Sequence, residues 1–112
     1  MNMIDVEKIN DVIVISFNND NKLNVTVTQK IKTEIIKLIN PNSKIVLNLS
    51  GISYIDSTGF GMLLSLLRHS KNTNSQLKLC NISPEVMELV KLLQLQSVFD
   101  IRDSVDDCLK SF

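Results

Sequence analysis

The chain has no excess of charge of either sign. Twelve Lys and Arg offset twelve Asp and Glu in 112 residues, and each half, 1–56 and 57–112, carries six of each. Nucleic-acid binders present a basic stripe, so no interaction with nucleic acid is expected. The start of the first predicted helix (Lys30, Lys32, Lys37) is the one basic concentration, and a solvated helix face accounts for it. Cysteine is scarce: Cys80 and Cys108 have no metal or redox spacing and read as small buried hydrophobes in a reducing compartment. No metal site or cofactor is expected. No apolar run approaches the ~20 residues of a membrane span. The opening MNMIDVEKIN brings acidic residues where a secretion signal needs basic residues and then an apolar stretch. These absences point to a cytoplasmic protein without a membrane partner.

What remains is ordinary globular composition, 44% hydrophobic and 21% charged, in a length that makes one domain over 1–112. Met3–Glu7 and Asp11–Phe17 are predicted strands joined by a polar turn at Lys8–Asn10, the second apolar on both faces and hence central. A polar loop follows at 18–24. Thr26 and Gln29 have capping-box spacing before a helix whose Ile31, Ile35, Leu38 and Ile39 recur at helical intervals, and Asn40-Pro41 stops it. Ile45–Leu49 is a strand, 72–76 a polar loop and Leu77–Cys80 a short strand. Ser83-Pro84-Glu85 starts a helix with Val86, Leu89, Val90 and Leu93 as its buried stripe. Val98–Ile101 is the last strand, and Asp103 can cap a closing helix with Val105, Cys108, Leu109 and Phe112 inward. Strands alternating with helices imply an α/β fold with mostly parallel crossovers. Asn is frequent in the loops.

Ile45–Leu67 carries the most information. It reads as a buried strand, a tight turn holding Asp56-Ser57-Thr58-Gly59, and an apolar helix. Helix N-termini expose unpaired N–H groups and partial positive charge. A hydroxyl there can cap the helix, act as a nucleophile or accept a phosphate. Catalysis lacks partners: His69, the single histidine, lies twelve residues beyond Ser57 and is expected at the surface. That is roughly 18 Å along a helix, outside hydrogen-bond reach. Ile55 breaks the G-x-S-x-G elbow, no G-K-[ST] follows a glycine loop, and Asp106-Asp107 imply no cleft. No catalytic residue is assigned.

LNLSGISYIDSTGFGMLLSLL resembles the signature of STAS domains of the bacterial anti-sigma factor antagonist type, roughly D-L-S-x-V-x-x-[ILM]-D-S-[ST]-G-[LF]-G-x-L-L. Asn48 stands at the first Asp. Leu49, Ser50, Ile52, Ile55, Asp56, Ser57, Thr58, Gly59 and Gly61 follow the pattern, and Pro84, Val86 and Leu92–Phe99 resemble the family's C-terminal part. Two further departures lie outside that signature: Leu23-Asn24 stand in for a Leu/Ile-Asp pair, losing the carboxylate, and Gln96 replaces a glycine after the third helix.

The resemblance implies a STAS-like single domain: a mixed four- to five-stranded sheet, N-terminal hairpin first and then mostly parallel, with about four helices. It implies a partner-switching regulator, not an enzyme. The unphosphorylated chain would bind an anti-sigma factor that is also a GHKL-type serine kinase and free a sigma factor. Phosphorylation of Ser57 would end binding, and a PP2C-type phosphatase would reset it. A monomer or weak dimer is expected. The partner-binding residues expected are Asp56, Ser57, Thr58, Gly59, Gly61, Leu23, Asn24, Met62 and Leu66.

The last two come from helical spacing: Phe60, Leu63, Leu64 and Leu67 form the core stripe, which leaves Met62 and Leu66 opposite as an apolar docking patch. The alternative is that another element covers both. Gly59 and Gly61 either admit a partner's backbone or permit close internal packing. The competing function is a STAS-like adaptor or structural subunit of a transport or signalling assembly, in which Ser57 is never phosphorylated.

Overall fold

The computed structural model describes residues 3–18 and 20–112. Asn19, part of the polar loop at 18–24, lies outside them. Strands β1 (Ile4–Ile9) and β2 (Val12–Phe17) form an antiparallel hairpin. Its turn is Asn10-Asp11, with φ of 50° and 71°, not 8–10 as expected. Two successive positive-φ residues make a type I′ turn, whose twist matches the strands, and Asn and Asp tolerate that conformation. After β3 (Lys22–Leu23) and α1 (Thr28–Ile36) come β4 (Lys44–Asn48), β5 (Tyr54–Ile55), α2 (Ser57–Asn72), β6 (Gln76–Cys80), α3 (Pro84–Leu92), a 3₁₀ turn at Leu95–Ser97, β7 (Asp100–Arg102) and α4 (Val105–Lys110).

Among the described residues the main sheet has five strands in the order β1-β2-β4-β6-β7, parallel after the first pair. Side chains alternate across it. Ile15, Ile45, Leu47 and Leu79 join Ile31, Ile35, Phe60, Leu63, Leu66, Val86 and Val90 in one core, so α1, α2 and α3 cover one face. The other face carries a small cluster of Val12, Val14, Val46, Cys80 and Cys108 under α4. Both cysteines are free thiols there. The mixed α/β architecture is as the resemblance implies.

Two helix starts differ from their expected caps. The Thr26/Gln29 capping box does not form. Thr26 instead donates its amide and its hydroxyl to Asn24 Oδ1, at 3.1 and 2.6 Å, and α1 begins after Val27 with no side-chain cap. Asn competes for nearby backbone groups in this way. For α4 the cap is Ser104, whose Oγ accepts from Asp107 N at 3.1 Å, not Asp103. The α3 start stands, with Ser83 Oγ accepting from Val86 N at 3.2 Å.

The α3 stripe is narrower than its spacing suggested: Val86 and Val90 are buried, but Leu89 and Leu93 are 37% and 52% exposed. The chain then turns at Gln94, φ 58°. That left-handed residue just past the helix is where glycine is favoured, so Gln94, and not Gln96, occupies the glycine-type position. The segment expected to begin a strand at Val98 starts one only at Asp100, because Leu95–Ser97 is wound into the 3₁₀ turn. The frequent loop asparagines have the same cause: Asn10, Asn42, Asn74 and Asn81 all have positive φ.

Candidate functional site

Between β4 and α2 the chain makes one feature that the sequence reading missed. The short strand β5 pairs in parallel with β3, Lys22 opposite Tyr54 and Leu23 opposite Ile55, as a separate two-stranded sheet. Asn21 O accepts from Ser53 N and Tyr54 N, and Leu23 O accepts from Asp56 N at 3.2 Å. Part of the polar loop is thus strapped to the segment that delivers Ser57. No periodicity announces a two-residue strand, so pattern reading had no signal to find it.

Asp56 organises the turn. Its backbone is extended (φ −92°, ψ −174°) and its carboxylate caps α2. Oδ1 accepts from Thr58 N at 2.9 Å and Gly59 N at 3.1 Å, and also from the Thr58 hydroxyl. Oδ2 accepts from Val25 N, 3.1 Å away on the strapped loop. One carboxylate therefore closes the helix start and ties it to residues thirty-one positions earlier. The Thr58 hydroxyl holds the Asp56 carboxyl below its ordinary value of 3.8; desolvation opposes this, and the Gly59, Val25 and Thr58 amides add to the lowering.

Ser57 is the first residue of α2 and is exposed. Among the described residues its hydroxyl makes no hydrogen bond, whereas the Thr58 hydroxyl is committed to Asp56. Two adjacent hydroxyls thus have different availability: one is a cap accessory and the other is free. His69 lies toward the far end of the same helix, half-buried where a surface position was expected. Among the described residues no group of three His, Cys, Asp or Glu could hold a metal ion. No helix of those residues is long and apolar enough to cross a membrane.

The expected partner-binding residues separate by accessibility. Ser57, Thr58 and Gly61 are exposed, and Asp56 and Asn24 are half-buried. Leu23, Gly59, Met62 and Leu66 are buried, the two α2 apolar residues at 3% and 0%. The docking patch assigned to Met62 and Leu66 is therefore corrected: both belong to the main core, while Leu64, placed inside by spacing, is 40% exposed. The physical reason is α1. It packs beside α2 on the same sheet face and covers the side of α2 that a helix with only the sheet beneath it would leave open.

The glycines also part company. A Cβ on Gly59 would come 2.5 Å from both Ile55 Cγ2 and Leu23 O, so this glycine serves internal packing; a Cβ on Gly61 meets nothing within 4 Å. The expected partner-binding residues do not include Val25, Gln29 or Lys32. With Thr28, Thr58, Gly61 and Met62 they line a groove between α1 and α2 beside the Ser57 turn. The basic concentration at Lys30, Lys32 and Lys37 is the one available signal, and it points to Lys32 alone.

A STAS-domain containing protein of Pseudomonas aeruginosa is 38% identical over 56 residues, 50% of this chain and 55% of that protein's length, so the match spans little more than half of it. The anti-sigma-B factor antagonist of Bacillus subtilis is 25% identical over 91 residues, covering 74% of this chain and 84% of that protein. Among solved structures, an anti-sigma-factor antagonist (STAS) domain protein from Planctomyces limnophilus superposes with TM-score 0.86 at 20% identity, over 96% of this chain and 95% of that one. A murine solute carrier 26 family anion transporter contains the same fold, with TM-score 0.76 and 16% identity, over 93% of this chain but 18% of its own. At such identities the structural likenesses establish fold alone. The STAS domain family model matches residues 3–108, and the chain belongs to that family.

Proposed function

We propose that this protein is an anti-sigma factor antagonist working by partner switching. In its unphosphorylated form it binds an anti-sigma factor that is also a GHKL-type serine kinase, and so releases a sigma factor. The kinase transfers the γ-phosphoryl group of ATP to Ser57 Oγ, leaving ADP and a released hydroxyl proton. The modified protein dissociates, and a PP2C-type phosphatase hydrolyses the phosphate. The protein is ligand and substrate and performs no catalysis, in keeping with a cytoplasmic regulator. The observation that carries this reading is the free, exposed Ser57 hydroxyl beside a Thr58 hydroxyl bound to Asp56.

The same geometry explains how one phosphate can switch binding off. It adds about −1.5 to −2 charges at a helix start, a position that normally welcomes anions. Here Asp56 already occupies the Thr58 and Gly59 amides. The phosphate therefore sits beside a carboxylate without those two donors to neutralise it. The fold tolerates this in water. An interface closed over Ser57 does not, because like-charge juxtaposition there costs several kcal/mol, and each ~1.4 kcal/mol is tenfold in affinity.

The test pairs the purified protein with the GHKL-type kinase encoded in the same genome, with Mg²⁺ and ATP. A single phosphate should appear on Ser57, S57A should take none, and S57E should lose kinase binding while remaining folded. No transfer to Ser57, together with kinase binding unaffected by S57D, would sink the proposal and favour the adaptor role.

A further inference from the structure

The groove between α1 and α2 has a volume of about 280 Å³, and one of its walls is Thr58, the neighbour of Ser57. This is below the usual size of a small-molecule pocket, ~300–1,000 Å³, and it is shallow, which suits side chains of a docked protein better than a free ligand. Three observations define what fits it. Val25 is 67% exposed, and its amide is held by Asp56, so an apolar contact is presented at fixed geometry beside the switch. Gly61 leaves the wall open, since an added Cβ there meets no atom within 4 Å. Lys32, the one charged residue lining the groove, is half-buried and forms no ion pair among the described residues, whose two salt bridges both belong to Asp100.

A protein seated on this groove covers part of the half-buried Lys32 side chain and removes water from around it. A desolvated charge without a counter-charge opposes binding, whereas one met by a carboxylate is satisfied. The other polar groups of the lining are neutral: Thr28, Gln29 and Thr58. The nearby Asp56 carboxylate is already engaged by Val25, Thr58 and Gly59. The required negative charge must come from the partner.

We propose that the α1–α2 groove is the docking site of the partner protein, and that the partner seats an apolar side chain on Val25 and an Asp or Glu carboxylate on Lys32. This inference rests on the partner-switching function above, and it identifies Lys32 as the residue that selects an acidic partner surface.

The experiment measures binding of the same GHKL-type kinase to wild type, K32A, K32E and the exposed-helix control K30E, at low and high salt. Unfolding midpoints establish that each variant is folded. K32E should weaken binding by about tenfold or more and K32A by a smaller factor, and wild-type affinity should fall with salt more steeply than that of K32A. K30E should stay within about twofold, as expected of a solvated charge. An Asp or Glu→Lys change on the kinase that restores binding to K32E would identify the contact. If K32E binds as wild type does, or tighter, while Ser57 phosphorylation still switches binding, the groove proposal is overturned and the switch stands. If wild type neither binds the kinase nor receives phosphate, the partner-switching reading fails first and takes this inference with it.

Discussion

Gly59 and Gly61 lie two positions apart on α2 and should answer the same substitution with opposite signs. In G59A the new methyl would stand 2.5 Å from Ile55 Cγ2 and 2.5 Å from the Leu23 carbonyl oxygen, with Leu23 Cβ at 3.3 Å. The Leu23 carbonyl cannot rotate away cheaply, because it accepts the Asp56 amide at 3.2 Å. Relief therefore requires β3 to move off α2, loosening the strap that holds the Ser57 turn. Overpacking of this kind costs roughly 1–3 kcal/mol. Against it stands the helix-propensity gain of Gly→Ala, about 1 kcal/mol in a helix interior and less in the first turn. The clash wins, with a net loss of about 1–2 kcal/mol. In G61A the methyl meets no atom within 4 Å, so the propensity gain stands alone. The expected result is a stabilisation of about 0.5–1 kcal/mol. At roughly 4 °C per kcal/mol for a domain of this size, G59A should melt about 4–8 °C below wild type and G61A about 2–4 °C above it. Thermal scans and urea titrations with unchanged m-values measure both. A G59A variant as stable as wild type, or a G61A variant less stable, would refute the packing argument.

Other regions answer to different perturbations. Asp56 and Asp100 both have carboxyls held below 3.8, by the Thr58 hydroxyl and by Arg102 respectively, so their stabilisation is complete above that unfolded-state value and is lost as pH falls through the lower folded-state values. Urea stability measured from about pH 5 to 2 should therefore fall with acid, and a D56A/D100A double variant should show a shallower fall; an equal slope would contradict the assignment. Lys78 is 5% exposed and paired with Asp100 at 2.6 Å, its ammonium also 4.8 Å from the Phe112 ring centroid. Removing Asp100 strands that charge. Because the Asp100 side chain is 37% exposed, D100A should cost about 1–3 kcal/mol rather than the ~3–5 of a fully buried pair. K78M should be neutral or stabilising, and a large loss there would show that the ion pair itself is favourable. Burial, then the neighbouring Cys108, pushes the Cys80 thiol up to about 12, and burial likewise raises Cys108. A thiol reagent at about pH 8 should label neither cysteine until the protein unfolds, since the thiolate is the reactive form. Rapid labelling of the native state would contradict their burial.

How much of the site could be read in advance depended on the range of the interactions involved. The α3 start at Ser83 and the strand–turn–helix around Ser57 were legible because each rests on groups within a few residues of one another. Met62, Leu66 and Leu64 were misassigned because helical spacing shows which residues share a face, not which neighbours that face meets. The α3 stripe failed for the same reason: Leu89 and Leu93 hold the right spacing but have too little covering them. The type I′ turn at Asn10-Asp11 and the left-handed Gln94 moved element ends by only a few residues, since Asn, Asp and Gln can adopt positive φ without announcing where they will.

By itself, then, the sequence determined the alternation of strands and helices, the presentation of Ser57 at a helix start, and the family signature around it. These depend on local propensity, capping chemistry and periodicity. Only the tertiary structure decided that Asp56 reaches Val25, that β3 straps the turn, that Gly59 packs while Gly61 stays open, and that Lys32 lines a groove beside the serine. Each of those joins residues from different elements, and where α1 lies against α2 is set by packing on the shared sheet, a relation that neighbouring residues along the chain do not encode.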